Sequence, residues 1–418
     1  MKIAITGPLA DKNLGDYGMF INNIYDLSSE HEYTVFSYNS DFVKSLKQDF
    51  LSDFNLDFVD VDLKQKEQKK PSILDKVKKL RRQILSLDRK KYPTPLEIIN
   101  RCENFDEIKN KIIESDVLVV SGGGYFNDLW YNWKRSDDLF KIIIPIIFAS
   151  YLKKKIVFTA NGYGPFDDSS SFYSMIFSEA KGAYFGCRDE KLSPLYLSDI
   201  GVYKYEKLPD DLYLIHDNLL NSNKSKCYGD YIIIELYDSI SMFSKNLESL
   251  RNIVSYFEEK NITVVFMPFD INKKTEEFLR KNIANKNFVF YEMNDYLKLN
   301  DAIDMIKNAK LVICNRYHAM VLSVANKTPI INVIKPVGDY RYYYNKNAGF
   351  LDNAFGSENI NYNDFIKSSL DDVYYLIKSE YDSFCERQNK IYDLDIYLSN
   401  KNKLKEKRSK YFDNIVNR

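Results

Sequence analysis

The residues best suited to chemistry form the run Asn315-Arg316-Tyr317-His318-Ala319-Met320, where an apolar strand-like stretch gives way to a helical one. A helix N-terminus presents unpaired N–H groups and the positive end of the helix dipole, a natural seat for phosphate or carboxylate. Arg316 adds a planar fork that grips such an anion through two bonds, and His318 can give or take a proton near neutral pH. The other histidines sit in poorer settings: His31 in a polar loop, His216 after an apolar run. A histidine here also has an ordinary reading, as a hydrogen-bonded structural residue; the neighbouring arginine is what draws attention to it. A second basic point, Gly186-Cys187-Arg188-Asp189-Glu190, again follows a strand-like run. There Arg188 is a second anion ligand or the partner of Asp189 or Glu190.

Two glycine-rich loops would let backbone approach a ligand closely: Gly122-Gly123-Gly124 with Asp128 downstream, and Asn161-Gly162-Tyr163-Gly164-Pro165. Neither is a Walker A loop or a dinucleotide fingerprint. Asp16, Asp128 and the pair Asp210-Asp211 occupy loop positions, each readable as a general base, a hydroxyl ligand or a helix cap. Cys187 and Cys314 adjoin the basic points, but no His/Asn pattern accompanies them and they read as small buried residues. The five cysteines form no CxxC pair and no zinc-ligand spacing, so neither a disulfide framework nor a structural metal is expected.

Positioning these groups falls to short apolar runs that end in polar or Gly-rich turns and alternate with helical stretches. Lys2–Thr6, 33–37, 116–121 and 156–160 read as strands of one doubly wound sheet. The pattern restarts at 231–236 and continues through 263–267, 287–291, 311–314 and 329–334. The sequence therefore predicts an α/β protein with two Rossmann-like domains, 1–217 and 228–362, facing a cleft, and a helical tail over 363–418. Ligands of such sheets sit at the carboxyl ends of the strands.

The chain has 418 residues, with 59 Lys+Arg against 59 Asp+Glu. Zero formal net charge gives no global pull toward nucleic acid. The run Ile142–Leu152 is too short to cross a bilayer, which takes about 20 residues. No secretory pattern opens the sequence, and a reducing, cytoplasmic setting is expected. One stretch is foreign to the rest. Between Lys64 and Lys91 lie twelve Lys/Arg and three acids, with Ile73, Val77, Leu80, Ile84 and Leu87 on one helical face. It is either a packed amphipathic helix or a basic one resting on an anionic membrane surface.

Taken in order, these segments resemble the polysaccharide pyruvyl transferase family. Asn13-Leu14-Gly15-Asp16 is similar to its N-x-G-D turn, and Ser121-Gly122-Gly123-Gly124 with Asp128 to its triple-glycine loop. Asn161–Pro165 resembles its Gly-x-Gly-Pro loop, and Arg188-Asp189-Glu190 through Gly201-Val202 and Pro209-Asp210 its Arg-Asp…Ser…Leu…Gly-Val stretch. Arg316-Tyr317-His318-Ala319 followed by Pro329 resembles its R-x-H-A…P motif. The chain departs after Pro329. The family's Tyr followed by Lys is replaced by an early lysine and late tyrosines over 334–341, in a region rich in tyrosines (Tyr340, Tyr342, Tyr343, Tyr344).

The resemblance implies a glycosyltransferase-B-like fold and transfer of the pyruvyl group of phosphoenolpyruvate to a sugar, usually as a cyclic ketal. It implies no cofactor and no metal. Arg188 and Arg316 would bind the donor's anionic groups and His318 would be the general acid. Asp16 and Asp128 would act on the acceptor side, with Asn13, Gly15, Gly123, Gly124, Asn161 and Gly162 shaping the site. A lipid-linked acceptor would give the basic 64–91 segment a role at the membrane face. The rival readings are a glycosyltransferase using a nucleotide sugar and a non-catalytic protein of polysaccharide assembly.

Overall fold

The computed structural model describes residues 1–64, 92–132, 135–180, 182–189, 191–220, 228–270, 272–334 and 343–416, without the side chains of 343 and 344. The basic stretch expected as a helix near 64–91, the run over 335–341 and the tyrosines at 340, 342, 343 and 344 therefore lie outside the described residues or side chains.

The first sheet holds β1 (Lys2–Thr6), β2 (Glu32–Ser37), β3 (Asn55–Asp60), β4 (Val117–Val120), β5 (Gly123–Phe126), β6 (Lys155–Tyr163), β7 (Tyr184–Cys187) and β8 (Tyr205–Lys207). Its order is β3-β2-β1-β4-β6-β7-β8, with β5 added beside β6, and every pairing is parallel. The second sheet holds β9 (Tyr231–Glu235), β10 (Thr263–Phe266), β11 (Phe288–Phe290), β12 (Val312–Cys314), β13 (Ile330–Val333) and β14 (Ile366–Lys367). It runs β11-β10-β9-β12-β13-β14, again all parallel. Parallel strands covered on both faces carry apolar residues at successive positions, as Val117-Leu118-Val119-Val120 does, all four buried. In each sheet the chain reverses its direction of winding at the centre, between β1 and β4 and between β9 and β12, and a crevice forms there.

Seven helices matter for the site: α1 (Leu14–Leu27), α2 (Ser136–Tyr151), α3 (Leu299–Asn308), α4 (Tyr317–Ala325), α5 (Tyr343–Phe355), α6 (Leu370–Asp393) and α7 (Asp395–Val416). The apolar run from Ile142 falls in α2, which packs its buried residues on the first sheet. No described helix is long and apolar enough to span a membrane.

The two halves share one core. Leu14, Phe20 and Leu212 from the first half, Ile233, Met267, Leu299 and Val321 from the second, and Tyr397, Tyr411 and Phe412 from α7 belong to the same buried cluster. Tyr17 donates its hydroxyl to the Leu297 carbonyl across the seam, and Lys298 pairs with Asp49 at 2.7 Å. The tail thus returns from the second sheet to close on the first, where Tyr411 donates to the carbonyls of Phe158 (2.8 Å) and Tyr184 (3.1 Å).

The structure differs from the expected elements in three places. The triple glycine does not end as a turn: Gly123–Phe126 extends as β5, because Tyr125 and Phe126 bury their rings and fix the backbone against β6. The tail is not helix from residue 364. Ile366–Lys367 adds an edge strand to β13, with Asn332 N donating to Phe365 O at 2.7 Å and Ile334 N to Lys367 O at 2.8 Å. Helix α1 starts at Leu14, so Asp16, expected in a loop, lies in its first turn, which Asn13 caps.

Candidate functional site

Two helix N-termini meet at the seam between the halves. Asn13 caps α1, its Oδ1 accepting from Gly15 N at 3.4 Å while its Nδ2 donates to Asp16 Oδ2 at 2.9 Å. Helix α4 starts right after β12, and its cap residue, Arg316, makes no side-chain cap bond. The first turn of α1 rests directly on the imidazole of α4. A Cβ on Gly15 would lie 1.8 Å from His318 Nδ1, so only glycine admits the ring. The positive dipole ends of both helices are therefore directed at one small volume, although the first N–H groups of α1 are already taken by Asn13 and by the Phe269 carbonyl.

Four charged or titratable side chains fill it. Arg188, fully buried after β7, donates from Nη1 to Asp210 Oδ2 at 3.1 Å and lies 3.4 Å from His318 Nε2. His318 Nε2 is 3.7 Å from the same carboxylate oxygen. Lys346, from the first turn of α5, completes the group. Its Nζ is 4.1 Å from the centre of the Tyr317 ring, and the Arg188 guanidinium carbon is 4.6 Å from the same centre. Gly124 makes room for both cations: a Cβ there would sit 2.9 Å from Arg188 Nη2 and 3.3 Å from Lys346 Nζ.

The electrostatics favour an incoming anion. Burial works to raise Asp210, but His318 and Arg188 beside it hold it below the usual carboxylate range. Burial pushes His318 down to about 4, so its ring is neutral at pH 7 in the closed site. Lys346 is held well below its ordinary value by burial and by Arg188. A guanidinium and an amine crowded against one ionised carboxylate, with two helix N-termini facing them, leave the pocket short of negative charge.

Asp16 flanks this group. Burial and Asp11 raise it to about 7, against the pull of Arg135 and Arg188 and of its bond to Asn13. Arg135 itself pairs with Asp11 and lies 3.9 Å over the Trp130 ring. Asp16 is thus a carboxyl that exchanges its proton near neutral pH, the property a general acid or base needs.

Not every expected residue joins the cluster. Arg316 turns to the second sheet: its Nη2 is 3.3 Å from Asp270, its Nε 3.6 Å from Glu235, and it stacks on Tyr237 at 3.9 Å. No contact with Arg188 is among those described. Glu235 accepts from the backbone N–H of Phe269 and of Arg316, and burial raises it to about 7 despite that arginine. Asp128 ties a distant loop, the one after β6, accepting from Asp168 N at 2.8 Å and from the Ser169 hydroxyl. Asn161 and Gly162 lie buried within β6. Asn161 donates to the carbonyls of Val120 and Thr159, both at 3.3 Å, and its own carbonyl holds Arg188 N at 3.1 Å. Its Oδ1 is buried without a hydrogen bond among the described residues. Gly123 is pressed by the Tyr125 ring and Pro8. Burial pushes the thiols of Cys187 and Cys314 well up, leaving both protonated.

The residue that sequence reasoning passed over is Lys346. Its only signal was the Tyr344-Asn345-Lys346 spacing, beyond the window in which a tyrosine-then-lysine pair was sought. Asp210 stood out as an acid but carried no assigned role until its contact with Arg188 was seen.

Two parallel sheets winding oppositely from their centres, a functional cluster on the seam and a tail that crosses back define a glycosyltransferase-B-like fold. Solved structures agree. A UDP-N-acetylglucosamine 2-epimerase superposes with a TM-score of 0.59 at 11% identity, over 100% of this chain and 96% of that one. The Neisseria meningitidis UDP-GlcNAc 2-epimerase bound to UDP-GlcNAc gives 0.56 at 10%, over 98% and 100%. The UDP-N-acetylglucosamine 2-epimerase from Rickettsia bellii gives 0.55 at 12%, over 100% and 96%. At such identities the likeness is one of fold. No curated protein matches the sequence. The chain belongs to the polysaccharide pyruvyl transferase family, whose profile matches residues 20–334.

Proposed function

We propose that the protein transfers the pyruvyl group of phosphoenolpyruvate to a sugar of a polysaccharide, or of its lipid-linked precursor, as a ketal. The observation that carries this reading is the buried Arg188 guanidinium and the half-buried Lys346 amine, set against two helix N-termini beside His318. Phosphoenolpyruvate offers two anionic groups on one small carbon frame, and this cluster sets a guanidinium, an amine and an imidazole around the single ionised carboxylate of Asp210. Arg188 is fully buried and His318 only 8% exposed, so the donor gains access when the seam between the halves parts.

The roles follow from charge. His318 is neutral in the closed site; a phosphate and a carboxylate arriving beside it raise its proton affinity. Protonated with the donor, it delivers that proton to C3 of the enol, making the methyl group and a cation at C2. One sugar hydroxyl attacks C2 and gives its proton to Asp16, whose value near 7 suits a base at physiological pH. Phosphate then leaves with the electrons of its C2–O bond, and a second hydroxyl closes the ketal. Of the two hydroxyl protons lost, one balances the methyl hydrogen and the other leaves with phosphate. Arg188, Lys346 and the helix ends stabilise the departing charge. Arg316, bound between Glu235 and Asp270, serves the second-sheet wall of the site.

The experiment is release of inorganic phosphate from phosphoenolpyruvate across a panel of mono- and oligosaccharides, run in deuterated water. A responsive acceptor should yield a ketal methyl carrying one deuterium. Consumption of a nucleotide sugar, with no phosphate released from phosphoenolpyruvate for any acceptor, would replace this reading with glycosyl transfer.

A further inference from the structure

Two consecutive buried carboxylates face opposite ways. Asp210 points to Arg188 and His318, while Asp211, equally buried, points away from them. Asp211 Oδ2 accepts from Thr159 Oγ1 at 2.6 Å and Asn23 Nδ2 at 2.9 Å, and its Oδ1 from Arg408 Nη1 at 2.5 Å. Its main-chain carbonyl accepts from Asn22 Nδ2 at 2.7 Å. Arg408 comes from α7, beyond the stretch that matches the family profile, and is 4% exposed. The same guanidinium grips α1: Nε and Nη2 donate to Asp26 Oδ2 at 2.8 and 2.6 Å, and Nη2 to Asn23 Oδ1 at 2.7 Å.

Arg408 therefore holds two of the elements that touch His318. One is α1, whose Gly15 abuts the imidazole; the other is the turn whose preceding residue, Asp210, faces that ring and Arg188. A buried carboxylate stripped of its guanidinium is strongly unfavourable and seeks another cation. We propose that Arg408 is a positioning residue for the active cluster: the C-terminal helix sets the aim of Asp210, and through it of Arg188 and His318. The assignment of a donor role to that cluster rests on the function proposed above; the geometry of the linkage does not.

The test exploits the presence of just three histidines, His31, His216 and His318. Their ring resonances are recorded by NMR in the full-length protein, alongside titration with phosphoenolpyruvate. Arg408→Gln should move the His318 resonance, leave that of His31 in place, and weaken phosphoenolpyruvate binding by about tenfold; His216, stacked on Tyr25 of α1, reports on α1 itself. Asp211→Asn added to it removes the stranded charge and should restore much of the affinity. Tyr411→Phe, which loses hydrogen bonds made by the same helix, lowers the melting temperature but should move neither readout. If Arg408→Gln does not fold, Arg408→Lys, which keeps the charge but not the fork, should give a smaller shift in the same resonance. A folded Arg408 variant with His318 unmoved and donor affinity equal to that of Tyr411→Phe overturns the proposal. If the wild type does not bind phosphoenolpyruvate, the donor assignment fails, and the His318 resonance alone decides the role of Arg408.

Discussion

At the scale of single residues, burial distributes the protons. His318 is driven to about 4 and Asp16 to about 7, each against its ordinary value, inside one cluster. For Asp16 the linkage has a definite sign. Its folded value lies above the 3.8 of an unperturbed aspartate, so the folded state holds the proton more tightly. That contribution to stability is complete below about 4 and is lost as pH rises through about 7. Asp16→Asn should therefore gain melting temperature relative to wild type as pH climbs from 4 to 8, with the two curves converging at the acid end. As the base for acceptor attack, Asp16 should also give kcat a rising limb near pH 7, and its removal should cost about two to four orders of magnitude. Lys346→Met keeps the aliphatic stem over Tyr317 but removes the charge. It should weaken phosphoenolpyruvate by about tenfold or more, as a lost charged hydrogen bond does, while sparing the fold, since the amine is held uncomfortably in its free state. Isothermal titration reads the first effect and a thermal melt the second. Arg188 and His318 were legible from sequence because each sits at a strand-to-helix handover. Lys346 was not, because what brings it in is the path of α5 across the seam, which no local pattern encodes.

At the scale of elements, the site depends on how α1 and α4 present their first turns to each other. Gly15→Ala would drive a methyl into His318 Nδ1. It should reduce activity about as far as His318→Ala does and destabilise by about 1–3 kcal/mol, the usual range for an overpacked site. Circular dichroism melts separate this from simple unfolding. The strand positions were legible because Val/Ile/Leu runs closed by polar turns leave little choice for a buried parallel strand. The matching helix at Lys273–Asn282 shows the same for amphipathic periodicity. What escaped were elements defined by their partners. Gly123–Phe126 reads as a turn until its aromatic rings are seen buried, and Ile366–Lys367 is a strand only because β13 has an open edge. Asp128 carried a motif position yet fixes the loop after β6, since a buried carboxylate serves as well to satisfy backbone and hydroxyl donors as to do catalysis.

At the scale of the whole molecule, the halves are joined by more than a hinge. A buried cluster runs through both sheets and the returning α7, and Arg408 ties that helix to α1 and Asp211. Calorimetry should therefore show one cooperative transition rather than two. A chain ending at Leu394 would strip Tyr397, Tyr411, Phe412 and Ile415 from the shared core and uncover what they pack on, and should lose that transition. The shared core and the cluster at the seam lie side by side, and the packing that joins the halves also buries Arg188 and His318. In the function proposed above, this sealed cluster receives phosphoenolpyruvate. Titration calorimetry of the wild type and Lys346→Met with phosphoenolpyruvate and with a nucleotide sugar tests it most directly. The expected result is saturable binding of phosphoenolpyruvate that the substitution weakens by about tenfold or more; binding of the nucleotide sugar alone, or donor affinity indifferent to Lys346, would contradict it.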